Sequence, residues 1–302
     1  MHKSVLLDES INYLDIKENS IIVDCTLGYA GHSSEILKRI PKGHLYSFDQ
    51  DSEAIDYSTK KLKSIANNFT IINSNFVNIK KELKKLGVTK VDGILYDLGV
   101  SSPQLDEDYR GFSFHKEAKL DMRMDRTQTL SAYNVVNEYT EQQLTDIIFK
   151  YGEEKYARSI AKAIINNRPI NTTLELVEVI KSAVPMKYKK DHHPARRTFQ
   201  AIRIEVNNEL EVFEKSLKDA LDILNTDGRI CVITFHSLED KICKNIFKTV
   251  SSIKPELKDL PVIPKEYEPK YKLVKTLSPS NEELDINPRA RSAKLRVIKR
   301  ID

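Results

Sequence analysis

The first hundred residues alternate between two rhythms of apolar and polar positions. Short, nearly continuous apolar runs occur in "SIIVDCTL" (20–27), "HLYSFDQ" (44–50), "TIINSNF" (70–76) and "VDGILYDLGV" (91–100), and predict strands. Helix-like patterns lie between them, at 33–40, 52–66 and 78–86. Apolar strands separated by helices imply a parallel sheet covered on both faces, an α/β class of fold. The rhythm stops at 101–130, which is polar and irregular. Helices without strands follow. Thr140 opens one to about residue 151 with T-E-Q-Q capping-box spacing, a second covers 153–167, and Thr172 opens a third that ends near Pro185. A long helix is expected from 194 to 225, where Phe199, Ile202, Val206, Phe213, Leu217 and Leu221 fall on one stripe and Pro194 suits the first turn. A strand at 228–237, a helix at 238–250 and strands at 271–277 and 293–301 restore the first rhythm. The pattern therefore predicts a sheet domain made of 1–107 and 195–302, interrupted by a helical domain at 108–194.

Composition narrows the class. The chain has 302 residues, 40% hydrophobic and 30% charged, which suits a water-soluble globular protein. No apolar run reaches the length of a membrane span, and acids interrupt the short apolar stretch near the N-terminus where a secretory signal would stand. Cys25, Cys231 and Cys243 are scattered without C-x-x-C spacing, which points to a reducing, cytoplasmic setting and away from a cysteine-held zinc.

The candidate chemistry gathers at predicted strand ends, where ligands of parallel sheets sit. "DCTLGYAGHS" (24–33) is a strand, a glycine-containing turn and a helix start. Asp49 ends the next strand 21 residues after Gly28, where an acid can accept hydrogen bonds from both ribose hydroxyls of an adenosine. Phe76 ends the third strand and "LYDLGVSSPQ" the fourth. A dinucleotide turn needs G-x-G-x-x-G, and from Gly28 this chain offers Ala30 and Ser33 instead. S-adenosylmethionine (SAM) has no phosphate to cradle, and D-x-x-x-G-x-A from Asp24 is similar to the first motif of SAM-dependent methyltransferases. SAM and NAD both stay open on these residues, with the missing glycines favouring SAM.

Several separated segments carry a more specific likeness: "HKSVLLDE" (2–9), "DCTLGYAGHS", "DGILYDLGVSSPQLD" (92–106), "RGFSF" (110–114), "LDMRMD" (120–125), "HHPARRTFQAIRIEVNNEL" (192–210), "FHSLED" (235–240) and "NPRARSAKLR" (287–296). Together they closely resemble the bacterial RsmH (MraW) family, over nearly the whole chain. Members of that family methylate the N4 amine of a cytidine in the decoding region of 16S rRNA. The resemblance implies a class I, Rossmann-like SAM-dependent methyltransferase fold with an inserted helical domain for substrate recognition. It implies SAM contacts at Ala30, Gly31, His32, Asp49, Phe76, Asp97 and Gln104, no metal, and the small ribosomal subunit's 16S rRNA as partner. Many relatives have glycine where this chain has Ala30.

The N4 amine is a poor nucleophile, because its lone pair is delocalised into the ring. Amine methyltransferases often present a D/N/S-P-P-Y turn to it. Here the corresponding strand end reads Asp97-Leu-Gly-Val-Ser-Ser-Pro-Gln104, without the aromatic. Asp97 is expected at the junction of SAM and amine, Ser101 and Ser102 along the pocket, and Tyr109, Phe112 or Phe114 against a flipped-out cytosine. His236 follows a strand and is expected at the same edge, in contact with substrate or cofactor or as a structural hydrogen-bonder. His192 and His193 stand side by side with no third ligand near, which suits helix entry or RNA contact rather than metal. Seven basic residues against one acid lie between Lys181 and Arg203, including Lys189, Lys190, Arg196 and Arg197. Six more, without an acid, lie between Arg289 and Ile301. Such clusters suit a phosphate backbone, although some of these arginines could pair with the acids of "LDMRMD" instead.

Overall fold

The computed structural model describes residues 4–100, 108–191, 193–253, 257 and 264–302, without the side chains of 108, 189–191 and 266. The chain divides into two compact units, one of residues 1–99 with 210–302 and one of residues 100–209.

The first unit begins with α1 (Leu7–Leu14), which the apolar pattern did not announce. Strands and helices then alternate: β1 (Ile21–Asp24), α2 (Gly31–Arg39), β2 (His44–Asp49), α3 (Ser52–Lys63), β3 (Phe69–Asn73), α4 (Ile79–Lys85) and β4 (Val91–Asp97). After the insertion come β5 (Leu224–Thr234), α12 (Ser237–Ser251), β6 (Tyr271–Leu277), a short α13 (Asn281–Ile286) and β7 (Lys294–Arg300). The seven strands form one sheet in the order β3-β2-β1-β4-β5-β7-β6. β1 to β5 are mutually parallel, and β7 runs antiparallel to both β5 and β6. Both faces are apolar and covered, as the strands' unbroken hydrophobic runs require. Val23, Ile94, Tyr96 and Val232 pack in one cluster, while Ile22, Leu95, Cys231 and Val297 pack in the other. The chain builds outward from β1 to β3, then returns to place β4 on β1's other side. Ligands of such sheets bind at that reversal, beyond the carboxyl ends of β1 and β4.

The second unit holds α5 (Ala132–Glu138), α6 (Glu141–Gly152), α7 (Ala157–Asn166), α8 (Thr173–Ser182), α9 (Met186–Asp191) and α10 (Ala195–Asn207). Both predicted capping boxes form. Thr140 and Gln143 exchange hydrogen bonds, as do Thr172 and Glu175. The expected single helix over 194–225 is two helices, α10 and α11 (Glu209–Ile223), separated by Asn208 in the left-handed region at φ 48°. Asn tolerates that conformation. Asn207 next to it is pinned, donating to the Met122 carbonyl at 2.8 Å and accepting from the Met124 amide at 2.8 Å. The return to the sheet domain was expected at residue 195. Instead α10 belongs to the helical unit, because its apolar stripe, Phe199, Ile202 and Val206, is buried in that unit's core with Leu144, Ile148 and Ile160. Among the described residues, no helix is long and apolar enough to cross a membrane.

Candidate active site

Three neighbouring strands, β1, β2 and β4, each end on an aspartate: Asp24, Asp49 and Asp97. Their environments give them different work. Asp24 is fully buried and internally consumed. Its Oδ2 accepts from Ser33 Oγ at 2.6 Å and its Oδ1 from the Thr26 amide at 3.0 Å. Ser33 Oγ also lies 3.0 Å from Ser47 Oγ, and Thr26 Oγ1 accepts the Asp97 amide at 2.7 Å. Burial raises the Asp24 carboxyl, against the pull of Ser33 and Thr26. Asp24 thus braces the turn that follows β1. Within that turn Gly28 and Ala30 are both left-handed, at φ 46° and 55°, and α2 starts directly afterwards at Gly31.

Asp49 faces the turn from β2. Its Oδ2 accepts the Gly28 amide at 2.8 Å, and its Oδ1 accepts the amides of Gln50 at 2.8 Å and Asp51 at 2.9 Å. Burial pushes its carboxyl up to about 6, against those three amides. A carboxylate has about four acceptor positions. Three are filled, so the expectation that Asp49 takes both ribose hydroxyls narrows to one further donor, at Oδ2. Beside it, Asn75 Nδ2 donates to Gln50 Oε1 at 2.9 Å and ties the ends of β2 and β3 together. Phe76 sits in the short turn after β3. Its ring meets Tyr96 edge-on at 5.7 Å, and its carbonyl accepts from Ser216 Oγ at 2.8 Å. It is half-buried, so one part of the ring is committed to the core.

Asp97 is the aspartate with spare capacity. Its Oδ1 is buried and has no hydrogen-bond partner among the described residues, while Oδ2 lies 3.5 Å from His32 Nδ1. Burial, then the charges of Asp24, Glu239 and Glu283, raise its carboxyl well above the usual range. Burial pushes the His32 imidazole down to about 4, opposed by the nearby Val5 backbone, so the ring is neutral at physiological pH. At the end of β5, Glu239 is 2% exposed. It accepts from the amides of Phe235 at 2.7 Å and His236 at 3.3 Å, and its Oε1 lies 3.1 Å from His236 Nε2. His236 stands at the start of α12, in a box that H-S-L-E spacing foreshadows. Ser101, Ser102 and Gln104 lie outside the described residues.

The helical unit treats its expected RNA-facing residues unevenly. Phe112 is 6% exposed in the unit's core, so stacking on a base is corrected to packing for this ring. Phe114 stacks on His193 at 4.5 Å and meets Phe199 edge-on at 5.7 Å, while Tyr109 is about half exposed. Arg203 makes a two-point pair with Glu209 at 2.8 Å, and Arg197 donates to the Glu153 carbonyl at 2.7 Å. Arg196 is exposed. His192 and the side chains of Lys189 and Lys190 lie outside the described residues.

Four residues of the C-terminal basic run are paired within their own unit. Arg296 grips Asp240 at 2.7 and 3.0 Å, and Lys294 joins it at 3.2 Å. Lys299 pairs with Asp227 at 2.6 Å, and Arg300 donates to the Leu224 carbonyl at 2.7 Å. Burial raises Asp240, but Arg296 and Lys294 outweigh it and hold its carboxyl below the usual range. In "LDMRMD", Asp121 pairs with its own neighbour Arg123 at 2.7 Å.

Residue patterns alone left out the braces around this edge: Ser33, Ser47, Glu239 and Glu283. Ser33 had shown itself only as a glycine missing from a dinucleotide turn. A family model described as the MraW methylase family matches residues 1–301. The Ribosomal RNA small subunit methyltransferase H of Exiguobacterium sibiricum is 57% identical over 278 residues, covering 90% of this chain and 89% of that protein. Its counterpart in Mycoplasma capricolum subsp. capricolum is 61% identical over 251 residues, covering 82% and 81%. A match along almost the full length, together with this similarity to curated methyltransferases, means that the chain belongs to the MraW methylase family.

Proposed function

We propose that this protein transfers a methyl group from SAM to the N4 amine of a cytidine in the decoding region of 16S rRNA, in the small ribosomal subunit. The observation that carries the reading is Asp97 at the sheet's reversal point: a buried carboxylate oxygen without a partner among the described residues, beside a braced turn and a second strand-end acid. A buried acceptor without a donor costs stability, and a ligand bearing N–H groups or positive charge removes that cost. The family membership and the curated relatives' names support the same reaction.

The residues suit SAM. Asp49 would hold a ribose hydroxyl, Phe76 would lie against the adenine, and the backbone of Ala30, Gly31 and His32 would line the other side. No glycine-lined phosphate cradle is required. When bound, SAM supplies a methyl group already activated by its sulfonium, so much of the remaining rate comes from positioning. Asp97 Oδ1 would accept an N–H of the target amine and hold the nitrogen's lone pair toward the methyl. As the new N–C bond forms, the methyl's bond to sulfur would break and leave a neutral thioether; the nitrogen must then lose a proton, and we assign Asp97 to take it. Burial, with the charges of Asp24, Glu239 and Glu283, raises its carboxyl and makes it the better acceptor. On the RNA side, we assign Tyr109 and Phe114 to meet a base. Lys189, Lys190, His192, His193, Arg196, Arg197 and His236 complete the surface we assign to RNA, with Ser101, Ser102 and Gln104 along the pocket. The inserted helical unit is assigned to substrate recognition, and the cytoplasm to the site of action.

The test is transfer of labelled methyl from SAM to small subunits lacking the modification, followed by mass mapping of the product. Label on the N4 amine of one cytidine is the expected outcome. Label elsewhere, or none, would overturn the reading.

A further inference from the structure

Residues 4–6 and the short helix α13 (Asn281–Ile286) meet in the structure. The Leu6 amide donates to Glu283 Oε1 at 2.7 Å, across 277 residues of sequence. Leu6 is fully buried and left-handed, at φ 51°, a conformation that costs a bulky residue energy and persists only where its surroundings impose it. Its carbonyl is held as well, accepting from the Ser10 amide at 2.9 Å and from Ser10 Oγ at 2.6 Å.

The residues just before Leu6 lie on the start of α2. A Cβ at Gly31 would fall 1.8 Å from Ser4 Oγ, so the space a side chain would fill at Gly31 is occupied by Ser4. The Val5 backbone bears on the His32 ring, and His32 Nδ1 stands 3.5 Å from Asp97 Oδ2. A continuous path of contacts therefore runs from Glu283 through Leu6, Val5 and His32 to Asp97. Glu283 also adds its charge to those facing Asp97.

We propose that Glu283 is a positioning residue of the methyl-donor pocket: by holding the Leu6 amide, it clamps residues 4–6 onto the first turn of α2 and so fixes His32 against Asp97. Glu283 acts through the strap, which is why its spacing from the strand-end motifs gives no sign of it. The inference rests on the SAM reading of the site.

The test compares Glu283→Ala with Glu283→Gln in the full chain, measuring the SAM dissociation constant by calorimetry, kcat and KM for SAM, and amide exchange over residues 4–10 with and without SAM. Losing a charged hydrogen-bond acceptor costs roughly tenfold in an equilibrium constant. Glu283→Ala is therefore expected to raise both Kd and KM for SAM by about tenfold, with kcat changed less than about threefold. Glu283→Gln keeps an acceptor oxygen and should stay within about threefold of the parent in Kd. SAM should slow exchange of the strap in the parent and in the Gln variant, and not in the Ala variant. Unchanged SAM affinity in Glu283→Ala, or equal losses in both variants, would overturn the clamp. Asp49→Ala separates the two levels of the argument. If it loses SAM affinity while Glu283→Ala does not, the clamp fails and the SAM reading stands. If the parent chain itself takes up no SAM, the SAM reading fails first.

Discussion

The carboxyl edge of the sheet and the basic C-terminal run are both charged clusters, and the fold handles them in opposite ways. At the sheet edge, Asp24, Asp97, Glu239 and Glu283 are crowded together, and Asp97 Oδ1 is left without a donor among the described residues. Along β7, where the sequence is uniformly basic, Lys294, Arg296, Lys299 and Arg300 each have an acceptor in their own unit. Exposed charge costs little, so a basic run is compatible with many fates. Buried and unpartnered acidity costs stability, and a fold keeps it only where something else restores the balance. The orphaned carboxylate is therefore the stronger pointer to a ligand, even though the basic runs are far more conspicuous in the sequence.

The sharpest way to break that comparison is Asp97→Asn. If Asp97 holds the amine and takes its proton, single-turnover methylation should fall by roughly 100-fold or more. The same change should make the ligand-free protein more stable at pH 8. The folded-state pKa of Asp97 is raised, so its contribution to stability is complete below the unfolded value near 4 and is lost as pH rises through the folded value. Asn carries no charge and escapes that loss. Thermal melts at pH 5 and pH 8 should show the variant gaining more on the parent at the higher pH. A near-normal rate, or a variant that melts lower at pH 8, would mean that the edge is not organised around this carboxylate.

Asp49→Ala comes next in size. Removing one hydrogen bond from a charged acceptor should weaken SAM by about 1.5–3 kcal/mol, measured by calorimetry. The three amides on this carboxylate complicate the variant usefully. Asp49→Asn keeps one oxygen and should lose less. An unchanged dissociation constant for Asp49→Ala would show that Asp49 serves only to shape the turn.

Much of this edge was legible before any coordinates, because strand ends are marked by where an apolar run stops. "SIIVD", "LYSFD" and "GILYD" each stop on an acid, and alternation with helices puts those stops on one side of a parallel sheet. The capping boxes at Thr140 and Thr172 were legible for the same local reason. What stayed hidden depends on contacts distant in sequence. Nothing near Leu6 announces a partner 277 residues away. The break at Asn208 was hidden because the apolar stripe continues through it, while the pinning of Asn207 by Met122 and Met124 comes from another segment. Phe112 was misread because an aromatic in a polar loop looks exposed until the helical core closes around it.

The basic side of the comparison is sharpened by a pair of substitutions read against salt. Arg196 is exposed in the helical unit, whereas Arg296 is locked on Asp240. If Arg196 meets a phosphate, Arg196→Ala should weaken RNA binding several-fold and make the slope of log affinity against log salt shallower by about 0.7–0.9. Arg296→Ala should leave that slope unchanged and lower the melting temperature instead. The reverse result would show that the pairs along β7 open to receive RNA, and that pairing in the free protein says little about the bound one.

The smallest expected effect is at Ala30, and it asks what holds the turn in shape. Ala30 sits at φ 55°, a conformation that costs an L-residue about 1–2 kcal/mol relative to glycine. Its methyl is also fully buried against the core, which returns about 0.8 kcal/mol. Ala30→Gly exchanges one for the other, so stability should change by under about 1 kcal/mol. The SAM dissociation constant should stay within about twofold, because a backbone contact survives the change. Thermal melting and calorimetry on the variant check both. Should SAM binding tighten markedly, the alanine turn must be held short of its best shape in the free protein. Should it weaken markedly, the buried methyl and not the brace of Asp24, Thr26 and Ser33 keeps the turn closed. No change is the result expected of a turn whose geometry is imposed from underneath, by a buried aspartate already holding Thr26 and Ser33.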